Sequence, residues 1–376
     1  MRILVITYEF PPVGGGGGRA AFDICQTLVE RGHEVHVLTA HMKGLAHQES
    51  VDGYKVIRIS SLRRYSYKAD LPAMGGFIIA GFWAGLRHIR SWRPDIIHVH
   101  FAVPTGPIAW LLSRITSVPY VLTAHLGDIP GGVPKKTSGW FRWIYPFTPR
   151  IWQDAAQVVA VSEFSRLLAL EHYPVDIKVI PNGVNLQALN PCDIRINDPP
   201  KIVFAGRFMQ QKNPVTLVRI LAGLQNLNWK CAMLGDGPLR EDVEQEIDRN
   251  GLQDRFVMPG WVTPEEVIDC FSNSDILFMP SSSEGLPVVG VQALAMGLAI
   301  IASRVGGFVD IVDQGKNGFL YSQTDSEGMQ SGLRELISDK ETLLVFRRNS
   351  REFAQRFDIS KVVDEYVQIF DEVAIA

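Results

Sequence analysis

Arg2-Ile3-Leu4-Val5-Ile6-Thr7 is a short apolar run, and the stretch from Arg19 to Arg31 follows it with Ala21, Ile24, Cys25, Leu28 and Val29 on one helical face. Gly32 stands just past that stretch, and Glu34-Val35-His36-Val37-Leu38-Thr39 begins a second apolar run. A strand, a helix with one apolar stripe, a glycine at C′ and another strand make one βαβ unit. The runs are nearly continuous in apolar character, which suits parallel strands covered on both faces. Working outward, further strands are expected at Tyr54–Ile59, Asp95–His100, Tyr120–Ala124 and Gln157–Val161. In the second half they fall at Lys201–Ala205, Trp229–Leu234, Arg255–Met258, Asp275–Met279, Leu298–Ser303 and Gly318–Tyr321. This alternation predicts an α/β fold of two Rossmann-like parallel-sheet domains. Thr263-Pro264-Glu265-Glu266 reads as a capping box with proline at N1, and Gly237-Pro238 is expected to open another helix. Asn182 to Pro200 is rich in Asn, Asp and Pro with little periodicity, so the linker is placed there. The expected domains are 1–185 and 186–357. The stretch 358–376 is a final helix with Val362, Val363, Tyr366, Ile369, Phe370 and Val373 at helical spacing.

The chain has 376 residues, enough for about two domains, with 46% hydrophobic and 20% charged residues. That composition excludes a disordered chain, a coiled coil and a collagen-like repeat. Basic and acidic residues number 37 and 40, so there is no overall basic excess and no nucleic-acid partner is expected. Cys25, Cys192, Cys231 and Cys270 are widely spaced, which points away from zinc or disulfides and toward a reduced cytoplasmic setting. The first apolar run meets Pro11 and Pro12 too soon for a signal peptide. The longest uncharged stretch, Leu71 to Leu86, is broken by Pro72 and glycines and falls short of the roughly 20 residues of a membrane span.

Ligands of such sheets bind past the carboxyl ends of strands. After the first strand come Tyr8-Glu9-Phe10-Pro11-Pro12-Val13, then Gly14 to Gly18. Backbone N–H groups there can cradle phosphate, but the dinucleotide fingerprint fails at Arg19, and a plain surface loop stays open as a reading. Gly206-Arg207 follows the strand ending at Ala205, with Lys212 five residues on; both can hold phosphate oxygens, or both can be solvated charges. Ser281-Ser282-Ser283-Glu284-Gly285-Leu286-Pro287-Val288-Val289 joins a strand to an apolar helix, with Gln292 eight positions after Glu284. A carboxylate and an amide at a helix N-terminus can grip hydroxyls while N–H groups take a phosphate; a helix-capping acid is the simpler reading of Glu284.

The order G-R-x₄-K, G-D-G-P, P-G, S-E-G-L-P and A-x-G resembles the retaining glycosyltransferases of the GT-B fold, family 4. In the first half P-P-x-x-G-G, Thr123-Ala124-His125-x-Gly127-Asp128, Val161-Ser162 and Ile180-Pro181-Asn182-Gly183-Val184 agree, so the likeness runs through nearly the whole chain. The resemblance implies two Rossmann-like domains facing a cleft, with the last helix crossing back onto the first. It implies a nucleotide-sugar donor and no metal or other cofactor. Arg207 and Lys212 would hold the diphosphate, with Gly206 and Gly235 at the adjoining turns. Glu284 would grip the sugar. Gly285, Leu286, Pro287, Val288 and Val289 would support sugar and phosphates. Gly15 and Gly16 would approach the diphosphate, and His125 would stand near C6 and the anomeric carbon. The base would pack near Met258, Pro259 and Val262. Where the family has a second glutamate for the ribose, this chain has Gln292, which can still accept a hydroxyl hydrogen bond without charge.

The implied reaction moves a hexose, glucose and UDP being the first choice, to a glycan or lipid-linked acceptor in envelope or extracellular polysaccharide synthesis. A sugar-nucleotide-binding pseudoenzyme and a NAD-dependent sugar-nucleotide enzyme are the alternatives. Two basic-aromatic stretches can stack sugars, sit at the inner face of the cell membrane, or simply pack in the core. The first is Ser61-Leu62-Arg63-Arg64-Tyr65-Ser66-Tyr67-Lys68. The second has Trp140, Phe141, Trp143, Tyr145, Phe147 and Trp152 with Lys135, Lys136, Arg142 and Arg150.

Overall fold

A computed structural model gives the fold and describes residues 1–63, 70–133, 144–189 and 193–375. The chain forms two compact units, Met1–Gly183 with Ile359–Ala376, and Val184–Asp358.

The first unit holds an eight-stranded sheet of β1 (Arg2–Ile6), β2 (Glu34–Ala40), β3 (Gln48–Val51), β4 (Tyr54–Ile59), β5 (Ile96–His100), β6 (Tyr120–Ala124), β7 (Gln157–Ala160) and β8 (Ile177–Val179). Its order is β3-β4-β2-β1-β5-β6-β7-β8, parallel throughout except for the β3–β4 hairpin. The sequence reading missed β3 and β8. Gln48-Glu49-Ser50-Val51 carries no apolar run because it is a four-residue edge strand with one face exposed and only Val51 packing on the core, and β8 has three residues. The available signal was Asp52-Gly53, whose φ values of 44° and 89° suit a tight hairpin turn.

Both faces of this sheet are covered. On one lie the helices Leu71–Trp92 and Gly106–Thr116. Gly81 and Gly85 let them approach: a Cβ at either would come within 2.8 Å of Ile108 and 2.7 Å of Leu112 respectively. On the other face lie the helices Gly16–Glu30 and Ile359–Ile375. Val362, Val363, Tyr366, Ile369 and Phe370 of the last helix are buried there with Ile24, Cys25 and Leu28.

The second unit holds six parallel strands, β9 (Lys201–Ala205), β10 (Lys230–Leu234), β11 (Phe256–Gly260), β12 (Ile276–Met279), β13 (Ala299–Ser303) and β14 (Gly318–Tyr321). Their order is β11-β10-β9-β12-β13-β14, so the chain reverses direction across the sheet between β9 and β12. Thr263 and Glu266 form the expected capping box, with hydrogen bonds of 3.2 and 2.6 Å. The helix expected from Gly237-Pro238 starts instead at Arg240, because Gly237 at φ +156° still belongs to the turn. Arg347 and Asp275 form a buried ion pair that also fastens the segment entering the sheet. Arg347 donates to the carbonyls of Gly297 and Arg195 at 2.7 Å each, and Asp275 accepts from Lys201 N at 2.8 Å.

Candidate active site

In the second unit three turns meet past the ends of β9, β10 and β11. Gly206 N donates to Leu234 O, Gly235 N to Gly260 O and Phe208 N to Asp236 O, each at 2.9 Å. Gly235 has φ +128°, and a Cβ on it would lie 2.1 Å from the Gly206 carbonyl, so only glycine fits. This stack of turns carries Arg207, which is half-buried. The next turn brings Lys212 to Glu284: Nζ lies 2.6 and 2.9 Å from the two carboxylate oxygens. The side chains are 18% and 6% exposed, so the pair is largely withdrawn from water and correspondingly strong. The surrounding backbone is stitched to match, Ser282 N to Gln211 O at 2.7 Å and Gln211 Nε2 to Ser283 O at 2.8 Å.

The loop then enters the helix Val288–Ala295 with Pro287 at the N-cap. Among the described residues, the N–H groups of Val288 and Val289 take no hydrogen-bond partner. Two unspent donors at the positive end of a helix suit an anionic or hydroxylic ligand. Gln292 lies about one turn further in, half-buried, with no side-chain partner among the described residues. At the end of β11, Met258 and Val262 are half-buried and Pro259 is exposed, and Trp261 between them is 60% exposed.

In the first unit the loop after β1 is pinned by arginines. Arg63 donates to Tyr8 O at 3.0 Å, and buried Arg58 donates to Pro11 O at 3.4 Å. The glycine run is not the loop that the sequence suggested. The helix already begins at Gly16, so only Gly14 and Gly15 form the turn, and Gly15 N donates to the Glu9 carboxylate at 2.9 Å. A Cβ at Gly17 would come within 2.6 Å of the Phe101 ring and 3.3 Å of His125. The helix start therefore rests on those two rings.

His125 follows β6 and is buried. Asp128 Oδ2 accepts from His125 N at 2.8 Å, and its other oxygen accepts from Val103 N at 3.3 Å, which ties the loops after β5 and β6 together. The imidazole stacks on Phe101 with centroids 4.3 Å apart, and Nε2 has no partner among the described residues. Phe101 has φ +71°, a costly backbone state for a bulky residue. Thr105 Oγ1 braces it, donating to the carbonyls of His100 and Phe101. Burial pushes the His125 pKa down to about 4, so the ring is neutral at pH 7. Two more histidines lie behind it on β5. His98 is pushed down to about 3 by burial and by His125, and His100 well below its usual value by burial and by both neighbours.

Two family profiles divide the chain between them. Glycosyltransferase Family 4 matches residues 14–188, and glycosyl transferases group 1 matches residues 192–353. The chain belongs to the family 4 glycosyltransferases and has the GT-B fold. An uncharacterized glycosyltransferase of Methanocaldococcus jannaschii is 26% identical over 377 residues, covering 100% of this chain and 99% of that protein. Sucrose-phosphate synthase from Thermosynechococcus elongatus matches with a TM-score of 0.87 at 21% identity, covering 99% of this chain and 98% of that one. Anabaena HepE, solved in complex with UDP and glucose, matches with a TM-score of 0.79 at 18% identity, covering 99% and 100%.

For this glycosyltransferase the structure brings Gly206, Arg207, Lys212, Gly235 and the loop from Glu284 to Val289 to the carboxyl ends of one sheet. It brings Gly15, Gly16 and His125 to the carboxyl ends of the other. Several supporting residues were missed. Gly306 has φ +53°, and its Cβ would fall 1.5 Å from the Glu284 carbonyl; one on Gly307 would fall 2.2 Å from Gly285 O. That Gly-Gly pair, which follows β13, was the visible signal. Glu9, Phe101, His98 and His100 carried no signal of their own. Among the aromatics expected at the acceptor side, Trp152 is core, stacked on Tyr173 at 4.1 Å, whereas Phe147 is 76% exposed. Lys135, Lys136, Trp140, Phe141, Arg142 and Trp143, with Arg64, Tyr65, Ser66, Tyr67, Lys68 and Cys192, lie outside the described residues.

Proposed function

We propose that the protein transfers a hexose from a nucleotide diphosphate sugar to a hydroxyl of a glycan or lipid-linked acceptor. The transfer retains anomeric configuration, needs no metal ion, and serves envelope or extracellular polysaccharide synthesis at the cytoplasmic face of the membrane. The observation that carries this reading is the Lys212–Glu284 pair, in a loop that leads directly into the unspent N–H groups of Val288 and Val289. In the reaction the bond from C1 to the diphosphate breaks and its electrons stay on the phosphate oxygen. The acceptor oxygen forms the new bond to C1, and its proton passes to the departing diphosphate. Arg207, Lys212 and the two N–H groups stabilise that departing charge, the part of the barrier that fixed positive groups lower most. Glu284 accepts from sugar hydroxyls. The neutral imidazole of His125 offers Nε2 to a sugar hydroxyl without adding charge. Gly15 and Gly16 serve the diphosphate, and Trp261 with Met258, Pro259 and Val262 receives the base. UDP and glucose are preferred because HepE is crystallised with both.

A donor panel tests this. Full-length protein is mixed with UDP, ADP and GDP sugars in EDTA, and transfer is followed by NMR at the anomeric carbon. One nucleotide class should be turned over with retention, with or without EDTA. Loss of all turnover, restored by Mg²⁺ or Mn²⁺, would overturn the metal-free reading. A second reading, a binding protein without turnover, is favoured by Gln292 in place of an acid; binding with no product for any acceptor supports that one instead.

A further inference from the structure

We propose that the outer face of the helix Leu71–Trp92 docks the protein on an anionic lipid bilayer; this rests on the reading of a membrane-side acceptor. Leu71 (51%), Ile79 (68%) and Trp83 (65%) are exposed on this helix, as are Arg87 and Arg90. Steps of four, four and three residues put Ile79, Trp83, Arg87 and Arg90 on one stripe, about 17 Å long at 1.5 Å per residue. The opposite face is sealed: Met74 and Phe77 are buried, and Gly81 and Gly85 press on Ile108 and Leu112.

The order along the stripe is apolar, then indole, then cation. That is the order met on passing from hydrocarbon through the interface to the phosphates, and Trp83 stands at the junction where indoles concentrate. No acidic residue occurs from Leu71 to Pro94, and Asp70 spends its carboxylate on Ala73 N at 2.9 Å. No ion pair among the described residues neutralises Arg87 or Arg90. A shallow depression of about 330 Å³ lined by Trp83, Leu86, Arg87, Arg90 and Ser91 places two guanidiniums beside an apolar wall, which suits a phosphodiester and the start of its acyl chain. A second copy of the chain fits less well, since its own stripe brings no acid to meet these arginines.

The test is co-sedimentation of the full chain with vesicles of phosphatidylcholine mixed with phosphatidylglycerol, and of phosphatidylcholine alone. The wild type should pellet with the mixed vesicles, less so at high salt. Ile79→Glu with Trp83→Glu, and separately Arg87→Glu with Arg90→Glu, should each weaken binding by at least about tenfold. Calorimetric binding of the nucleotide sugar should stay unchanged in both, so failure to dock is told apart from failure of the transferase reading. Wild-type protein left in the supernatant with both vesicles, or variants that bind as well as wild type, overturns the proposal. So does a wild-type dimer that becomes a monomer on Trp83→Glu, which would assign the stripe to a second copy.

Discussion

Lys212 and Glu284 each solve the other's burial, so substituting either has two separable effects. Lys212→Ala removes the charge proposed to face the leaving group and also strands a carboxylate that is 6% exposed. Turnover should fall about 10²–10³-fold, and the second unit should lose about 3 kcal/mol. Adding Glu284→Gln should recover much of the stability and none of the turnover. Denaturant unfolding and saturating kinetics on the four members of the cycle check this, and wild-type turnover in Lys212→Ala would remove Lys212 from the chemistry. The histidines give a second prediction at this scale. Their folded pKa values lie below the ordinary value near 6.5, with His125 at about 4 and His98 at about 3. Between about pH 6.5 and 4 the unfolded chain therefore binds protons that the folded one does not. Stability falls as pH falls through that window, by up to about 1.4 kcal/mol per pH unit for each histidine. His100→Leu should lessen the loss measured between pH 7 and pH 5, and an unchanged slope would show that His100 is not buried in its neutral form.

At the scale of elements, the proposed donor loop depends on a neighbour in the turn after β13. Gly306 lets the turn after β13 lie against the backbone of Glu284. Gly306→Ala should displace that loop and weaken nucleotide binding by at least about tenfold, a cost of about 1.4 kcal/mol, while the first unit melts as before. Calorimetric titration with a two-transition melt checks it. The elements themselves were largely legible. Apolar runs in Lys201–Ala205 and Tyr120–Ala124 marked strands to the residue, because both faces of those strands are covered. β3 escaped because it is a four-residue edge strand with one face exposed and Val51 as its one apolar residue on the core, too little for an apolar alternation. The glycine run misled because glycine usually breaks a helix. Here the first turn of the helix needs residues without side chains to lie against Phe101, His125 and Glu9. The positions of Arg207, Lys212 and Glu284 at strand ends were readable from spacing. The Lys212–Glu284 bond was not, since 72 residues separate the two and nothing local encodes the meeting.

For the whole molecule the division of the chain is uneven. The first unit takes its core from both ends of the sequence, with Tyr366 and Phe370 packed against His98 at centroid distances of 4.9 and 5.2 Å. Thr123 sits between His98 and the Tyr366 hydroxyl at 2.9 and 3.0 Å. Deleting 359–376 should leave the second unit folded with its nucleotide affinity, while the first loses its cooperative melt and aggregates. Two-transition calorimetry with nucleotide binding on the truncated chain checks this, and an intact first transition would show that the helix is an accessory.

The same arrangement has a consequence during synthesis. A ribosome releases Met1–Gly183 long before Phe370 has been made, so the nascent first unit waits with part of one sheet face, beside the helix Gly16–Glu30, open. The second unit, continuous from Val184 to Asp358, can fold in that interval. The unit translated first is thus the last to close, and a chaperone that shields the face formed by Ile24, Cys25 and Leu28 has its work bounded in time by the arrival of the final helix.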